Sequence, residues 1–398
     1  MSRKLLILLL VAMLPSCTLK QAVSRGVDIA SSKDPGKALE KASTAFAKQK
    51  AEQYAEDPAR IEKDMKLLKA EYDKVMAVLY KAVGKEWGVK ETKVPTKKEY
   101  VKYVQNYKSR AIVDFDKLTV TVETLVPEKR EESLRNAIVT TLLTPDDPRS
   151  VDLFSDKSVQ LKGKPYLNGM VLDQAQKPIT EQAQAEKFAD WLVKSGIKER
   201  SIESGEGNKT VYYAEFPLIK NFSNRKAEEY RPIVAKYGKK LNVSESLIFA
   251  FIRTESNFNP FAMSGVPAYG MMQLVPASGG RDAYRRAKGL DQPPTKEYLF
   301  NAENNIQLGA TFVALLRDEY FASVENPVSR EYCVISGYNT GSGNVLKTFS
   351  KKRGEAFNAI NGMQPPEVYE KLRTGLPYEE TRQYLAKVVG YRKDYLSD

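Results

Sequence analysis

The apolar periodicity of this chain changes character once, near residue 224, and that change limits the folds open to it. Ahead of the change, residues 109–126 (SRAIVDFDKLTVTVETLV) alternate and are rich in Val and Thr, which reads as a β-hairpin or strand pair. Residues 165–173 and 209–219 also read as strands. Helical repeats lie between them. Ile61, Met65, Leu68, Tyr72, Val75 and Leu79 recur at spacings of four and three, giving one face of an amphipathic helix that ends near Gly84. Two more helices are expected, one over 131–143, stopped before Pro145, and one over 180–195 around Phe188, Trp191 and Leu192. Past residue 224, segments 226–238, 244–256, 303–320, 329–339 and 378–390 all carry helical periodicity and are joined by Gly, Pro and Asn. The expectation is an α+β domain over 56–223 followed by an all-α domain over 224–398.

The first 55 residues belong to neither. Met1–Lys4 is a short basic stretch and Leu5–Met13 an apolar run too short to span a bilayer; together they have the layout of a secretory signal over 1–16. Leu14-Pro-Ser-Cys17 resembles a bacterial lipobox, so Cys17 is the expected lipidated N-terminus, and Thr18, not being Asp, favours the periplasmic face of the outer membrane. Residues 17–55 read as the lipidated end and its tether. With Cys17 lipidated, Cys333 is the one remaining thiol; no internal disulfide can form, and its apolar neighbours suggest that it packs as a small hydrophobe.

The formal charge is +12, and removal of Arg3 and Lys4 leaves 60 basic against 50 acidic residues. Such a surface favours an anionic polymer or membrane. For an exported protein nucleic acid is not the expected partner.

The chain contains no His, which excludes His-based Ser or Cys triads and His-liganded zinc. Chemistry must rest on carboxylates, Lys, Tyr, Ser or backbone groups. Ser244–Asn259 (SESLIFAFIRTESNFN) offers a carboxylate in an unusual place. Ser244 is a suitable N-cap, and Leu247–Ile252 is apolar on nearly every face, as in a buried helix. Glu255 follows on the stripe of Ile248 and Ile252, where poor hydration should raise its pKa and suit it to protonate a leaving oxygen. The alternative is that Glu255 points outwards or pairs with an Arg.

The same segment opens an ordered series: Glu255-Ser256, Asn259-Pro260, Ser264, Gly270-Met-Met-Gln-Leu274, Asn305-Ile-x-x-Gly309, Gly337-Tyr-Asn-x-Gly341 and Glu380-Thr-Arg-x-Tyr384. Over roughly 225–390 these motifs resemble the soluble-lytic-transglycosylase-like catalytic domain, a lysozyme-like fold related to goose-type lysozyme. The SRAIVDF and VETL segments extend the resemblance to the membrane-bound lytic murein transglycosylase C family across the mature chain. The resemblance implies cleavage of peptidoglycan glycan strands at the N-acetylmuramic acid–N-acetylglucosamine bond with formation of 1,6-anhydromuramic acid ends, and no metal or other cofactor. It implies that Glu255 is the acid/base, that Ser264 lies near the 2-acetamido group, that Met272 and Gln273 line the sugar groove and that Tyr338 reaches the reacting sugar. Asn339 becomes a loop-fixing residue and Glu380 a substrate contact across the cleft. Gly337 stands where the family usually has Ala, which could loosen the helix end carrying Tyr338. A water-using muramidase with Glu380 or Asp282 as second carboxylate, and a catalytically silent murein-binding lipoprotein, are the competing readings. Oligomeric state is not legible in the sequence.

Overall fold

The computed structural model describes residues 59–396 apart from 205 and 266. The expected signal, Cys17 and the tether lie outside the described residues. The elements in chain order are α1 (Ala59–Trp87), β1 (Glu99–Val104), β2 (Ser109–Asp114), β3 (Thr119–Thr124), α2 (Arg130–Leu143), α3 (Gln182–Ser195), β4 (Lys198–Ser204) and β5 (Gly207–Pro217). A second series is helical: α4 (Phe222–Leu241), α5 (Glu245–Glu255), α6 (Gly279–Lys288), α7 (Lys296–Phe300), α8 (Ala302–Leu315), α9 (Pro327–Thr340), α10 (Ser342–Lys347), α11 (Arg353–Asn361), α12 (Pro365–Gly375) and α13 (Glu379–Arg392). The α+β half followed by a mostly helical half is thus present.

The five strands form one antiparallel sheet in the order β1-β2-β3-β5-β4. Residues 109–126 do form the hairpin, with Ala111 opposite Val122 and Val113 opposite Val120. Helices cover both faces. Tyr100, Val113, Phe115 and Val122 pack with Leu134 and Ile138 of α2 and Phe188 of α3. Val101, Tyr103, Ile202 and Val211 pack on the other face with Met76, Leu79, Val83 and Trp87 of α1. The stripe that α1 buries therefore runs through Met76 and on past Gly84 to Trp87, with Val75 only half-buried.

The strand expected over 165–173 is absent. Gly169 at φ +70° turns the chain, and only isolated bridges (Pro145 to Pro165, Leu172 to Pro178) form there. Apolar side chains such as Leu167, Met170 and Val171 are buried by a folded loop instead of a ladder. Strands β1 and β4 were not expected. β1 (EYVKYV) is buried on both faces and so lacks alternation, while β4 is an edge strand with polar residues at six of its seven positions.

The two halves share one core. Phe261, beyond α5, sits 4.9 Å from the ring of Tyr100 and 5.1 Å from that of Tyr166. A polar contact reinforces the seam: Asn257 Nδ2 donates to the Phe115 carbonyl at 2.5 Å, while its Oδ1 accepts from Ser223 Oγ of α4 at 2.7 Å and so holds the amide in place. Asn257 and Phe258 both adopt positive φ, at 47° and 63°. For a bulky residue such as Phe258 this conformation is strained, by about 1–3 kcal/mol, and persists only where packing imposes it. The turn after α5 is therefore held against the sheet half, and α5 with it.

Candidate active site

Helix α5 starts at Ser244, as expected, but the Ser244 hydroxyl makes no capping bond; its backbone carbonyl opens the helix by accepting from Leu247 and Ile248 N–H. Leu247 through Ile252 are all buried, so the helix is core on every side. Glu255 closes it and is 5% exposed. The outward-pointing alternative is excluded by this burial. Its Oε1 accepts a 2.7 Å hydrogen bond from the Tyr384 hydroxyl of α13, and its Oε2 lies 3.9 Å from the ammonium of Lys97. Arg253 turns elsewhere, to Asp394 at 2.5 Å. Burial raises the Glu255 pKa above the ordinary carboxyl value; Lys97, the Tyr384 hydroxyl and Lys98 oppose the rise and Glu380 adds to it. The same surroundings push the Tyr384 and Tyr338 hydroxyls well above the usual phenol range, chiefly by burial.

Glu255 opens onto a cavity of about 410 Å³ lined by Lys97, Thr254, Glu379, Glu380, Gln383, Tyr384 and Lys387. One wall is the exposed start of α13, where Glu380 reaches 3.5 Å from Lys97. Asp282 is not in this cavity: it sits on α6, accepting from the Tyr320 hydroxyl at 3.0 Å.

The loop over 270–274 owes its shape to Asn305 of α8. Asn305 Oδ1 accepts from the Met272 N–H at 2.8 Å, and its Nδ2 donates to the carbonyls of Tyr269 and Leu299 at 2.9 and 2.8 Å. Gly270 has φ +76°, and a Cβ on it would fall 2.4 Å from Asn305 Nδ2. A Cβ on Gly309 would fall 2.2 Å from the Met272 sulfur. The spacing from Asn305 to Gly309 is thus one turn of helix that grips this loop twice.

This packing corrects one expectation: the Met272 side chain is fully buried against Gly309, and it is the Met272 backbone carbonyl that makes a polar contact. That carbonyl accepts from the Tyr338 hydroxyl at 2.8 Å. Gln273, at φ +46°, is buried too; its Nε2 donates to the Gly270 carbonyl and its Oε1 has no protein partner. The Tyr338 ring lies 4.5 Å from that of Phe251 of α5, tilted by 35°, which fixes it beside the helix of Glu255. Gly337 does not loosen the end of α9: a Cβ would meet the Phe321 ring at 2.7 Å, so the glycine is a packing requirement. Asn339, expected to fix a loop, instead sits in α9, where its Oδ1 accepts from Thr381 Oγ1 at 2.6 Å and ties α9 to α13. Ser264 lies half-buried in the loop bounded by the Met263–Tyr269 bridge, its N–H donating to the Ala268 carbonyl at 3.3 Å. Cys333 is fully buried and its thiol is pushed up to about 12, as befits a core residue.

Of the cavity lining only Glu255 and Glu380 were expected, and the two side chains that meet the Glu255 carboxyl, Tyr384 and Lys97, were not. Tyr384 stands in a quoted motif, and its helical spacing of four from Glu380 was the available signal. Lys97 belongs to the other half of the chain and carried none.

Residues 61–229 match the family model of the membrane-bound lytic murein transglycosylase C N-terminal domain, and residues 232–361 that of the transglycosylase SLT domain. Membrane-bound lytic murein transglycosylase C of Serratia proteamaculans is 41% identical over 310 residues, spanning 78% of this chain and 85% of that protein. Its counterpart in Cronobacter sakazakii is 39% identical over 325 residues, spanning 81% of this chain and 89% of the relative. Among solved structures, the lytic transglycosylase Slt of Pseudomonas aeruginosa aligns over 42% of this chain and 24% of its own at 27% identity, with a TM-score of 0.32.

Proposed function

The chain belongs to the membrane-bound lytic murein transglycosylase C family, and from that membership we propose that Glu255 is its sole acid/base. It is a peptidoglycan lytic transglycosylase. The single observation that carries the assignment of Glu255 is a carboxyl group buried at a helix end, raised in pKa, and open to the cleft. A carboxyl whose protonated form is favoured by burial can donate to the glycosidic oxygen between N-acetylmuramic acid and N-acetylglucosamine. The C1–oxygen bond breaks as that proton arrives, and the positive charge at C1 is shared with the sugar's own acetamido carbonyl. Glu255, now a carboxylate held by the Tyr384 hydroxyl, takes the proton of the muramic acid 6-hydroxyl; that oxygen bonds to C1 and closes the 1,6-anhydro ring. One group serves in both directions and no water is consumed.

In this reading Tyr338, fixed by the Met272 carbonyl, and Ser264 face the reacting sugar, and Glu380 contacts substrate from the opposite wall. Residues 56–223 form the accessory domain and 224–398 a goose-type lysozyme-like catalytic domain. The Leu14-Pro-Ser-Cys17 motif supports a lipid anchor on Cys17 at the periplasmic face of the outer membrane, after removal of residues 1–16 and with the remainder of 17–55 as tether.

Mass spectrometry of the soluble products from purified murein tests the mechanism. The lipid-free protein should release muropeptides one water lighter than hydrolysis products, and Glu255→Gln should release none. Hydrated reducing ends would make the reaction a muramidase and require a second carboxylate.

A further inference from the structure

Lys97 stands on the segment between α1 and β1, in the sheet half, yet its ammonium reaches Glu255 and Glu380 of the helical half at 3.9 and 3.5 Å. The segment is tied down where it crosses. Asn259, fully buried, donates from Nδ2 to the carbonyls of Lys97 and Thr96 at 3.2 and 3.5 Å. The next ammonium, that of Lys98, donates to the Arg253 carbonyl in the last turn of α5 at 2.7 Å. Lys97 is thus presented to the end of α5 by a backbone that α5 and its following turn themselves hold.

We propose that Lys97 is a positioning residue for the reaction, an ammonium supplied by the accessory domain to orient and charge-balance the carboxylate that Glu255 becomes after giving up its proton. The inference rests on Glu255 being the acid/base. The groups facing Glu255 are Lys97 and Lys98 from the α1–β1 segment, Glu380 and Tyr384 from α13, and Tyr338 from α9; Glu379 and Lys387 line the same cavity. Among the influences that favour the ionised form, Lys97 comes first, ahead of the Tyr384 hydroxyl. Proton donation to the leaving oxygen creates a carboxylate in a site whose burial disfavours it, and an adjacent cation lowers that barrier. Returning the proton from the 6-hydroxyl is made harder by the same cation. Sharing with Glu380 keeps the pairing loose enough for both steps, since one ammonium at 3.9 and 3.5 Å commits fully to neither carboxylate.

The dependence of kcat/KM on pH for anhydromuropeptide release separates this role from a strut. Glu255 must carry its proton in the free enzyme, so the alkaline limb reports its ionisation. Loss of Lys97 removes an influence that favours the carboxylate, so Lys97→Met in the full chain should move that limb upward by roughly half to one pH unit, the low end of what a nearby opposite charge does because the side chain is about a third exposed. Lys97→Arg should leave the limb where the unmodified chain has it. A Met variant whose limb superimposes on that of the unmodified chain, whatever its height, overturns the proposal. If the Met variant releases too little product for a profile, infrared difference spectra against Glu255→Gln in each background follow the carboxyl directly; a protonated-carboxyl band with unchanged pH dependence has the same consequence. Failure of the underlying reading is distinct: Glu255→Gln would retain cleavage.

Discussion

Each half of the molecule buries a carboxylate almost completely, with 5% of the side chain exposed for Glu123 in the sheet and 6% for Glu255 in the cleft. Glu123 accepts from Arg110 Nε at 2.5 Å and from Arg200 Nη2 at 3.0 Å, and Arg110 in turn stacks over Trp87 at 3.8 Å and donates to the Glu91 carbonyl at 2.5 Å. Glu91 closes the network, its carboxyl held below the ordinary value by the hydrogen bond from Arg200. Glu255 has a phenol and a cation at 3.9 Å, and its pKa rises. Burial by itself therefore says nothing about function. A carboxylate with its charge matched by guanidinium forks has a structural role, and one left short of compensation is a candidate for chemistry, as proposed for Glu255.

The most severe break in the comparison is removal of the cation from the compensated side. Arg110→Met leaves Glu123 buried with only Arg200, itself a third exposed, and should lower the unfolding free energy by about 3 kcal/mol, the lower end for stripping one partner from a buried pair. Urea unfolding followed by fluorescence reads this; a loss under about 1 kcal/mol would mean that the network is solvated and the contrast with Glu255 is false. Next in size is the seam. Asn259→Ala strands the Lys97 carbonyl and the Phe261 N–H, which donates to Asn259 Oδ1 at 3.0 Å, and should cost about 2 kcal/mol in the same assay. The compensation that Glu255 does have is sharpened by Tyr384→Phe. Loss of its hydrogen bond to a developing carboxylate should slow release about tenfold in kcat, with stability nearly unchanged. An unchanged kcat would leave Tyr384 as packing only.

The two carboxylates also differ in how far the sequence revealed them. Glu255 was legible because its surroundings are local: Leu247–Ile252 are apolar all round a helix, and nothing but burial suits such a pattern. The loop over 270–274 was legible through its motif, although the reason, Asn305 and Gly309 gripping it from α8, came only with the fold. Arg110 and Glu123 sit opposite each other on β2 and β3, so the hairpin brought them together without their pattern revealing the site. What stayed hidden depends on packing across the chain. The doubly buried β1 and edge-strand β4 lack the alternation that marks a half-exposed strand, and residues 165–173 have a strand's composition but a turn's backbone. Nothing near residue 97 in sequence signals that its ammonium meets residue 255.

The smallest expected effect is the sharpest test, because it carries a sign. A carboxyl whose pKa is raised on folding favours the folded state most while protonated, so its contribution is present below the unfolded pKa and is lost as pH rises through the folded one. In Glu255 this means that the carboxylate, once formed as pH rises, works against the folded state. Glu255→Gln keeps the shape and removes the charge, so the variant should match the unmodified chain near pH 4 and become more stable than it as pH rises, by on the order of 1 kcal/mol at pH 8. Glu123→Gln should instead lose stability, because two guanidinium groups are left facing an amide. Unfolding curves of both variants across this pH range place the two carboxylates side by side. If Glu255→Gln lost stability at pH 8 as Glu123→Gln does, Lys97 and Tyr384 would be compensating Glu255 fully, and the poise that makes it an acid would have to be sought in the bound substrate.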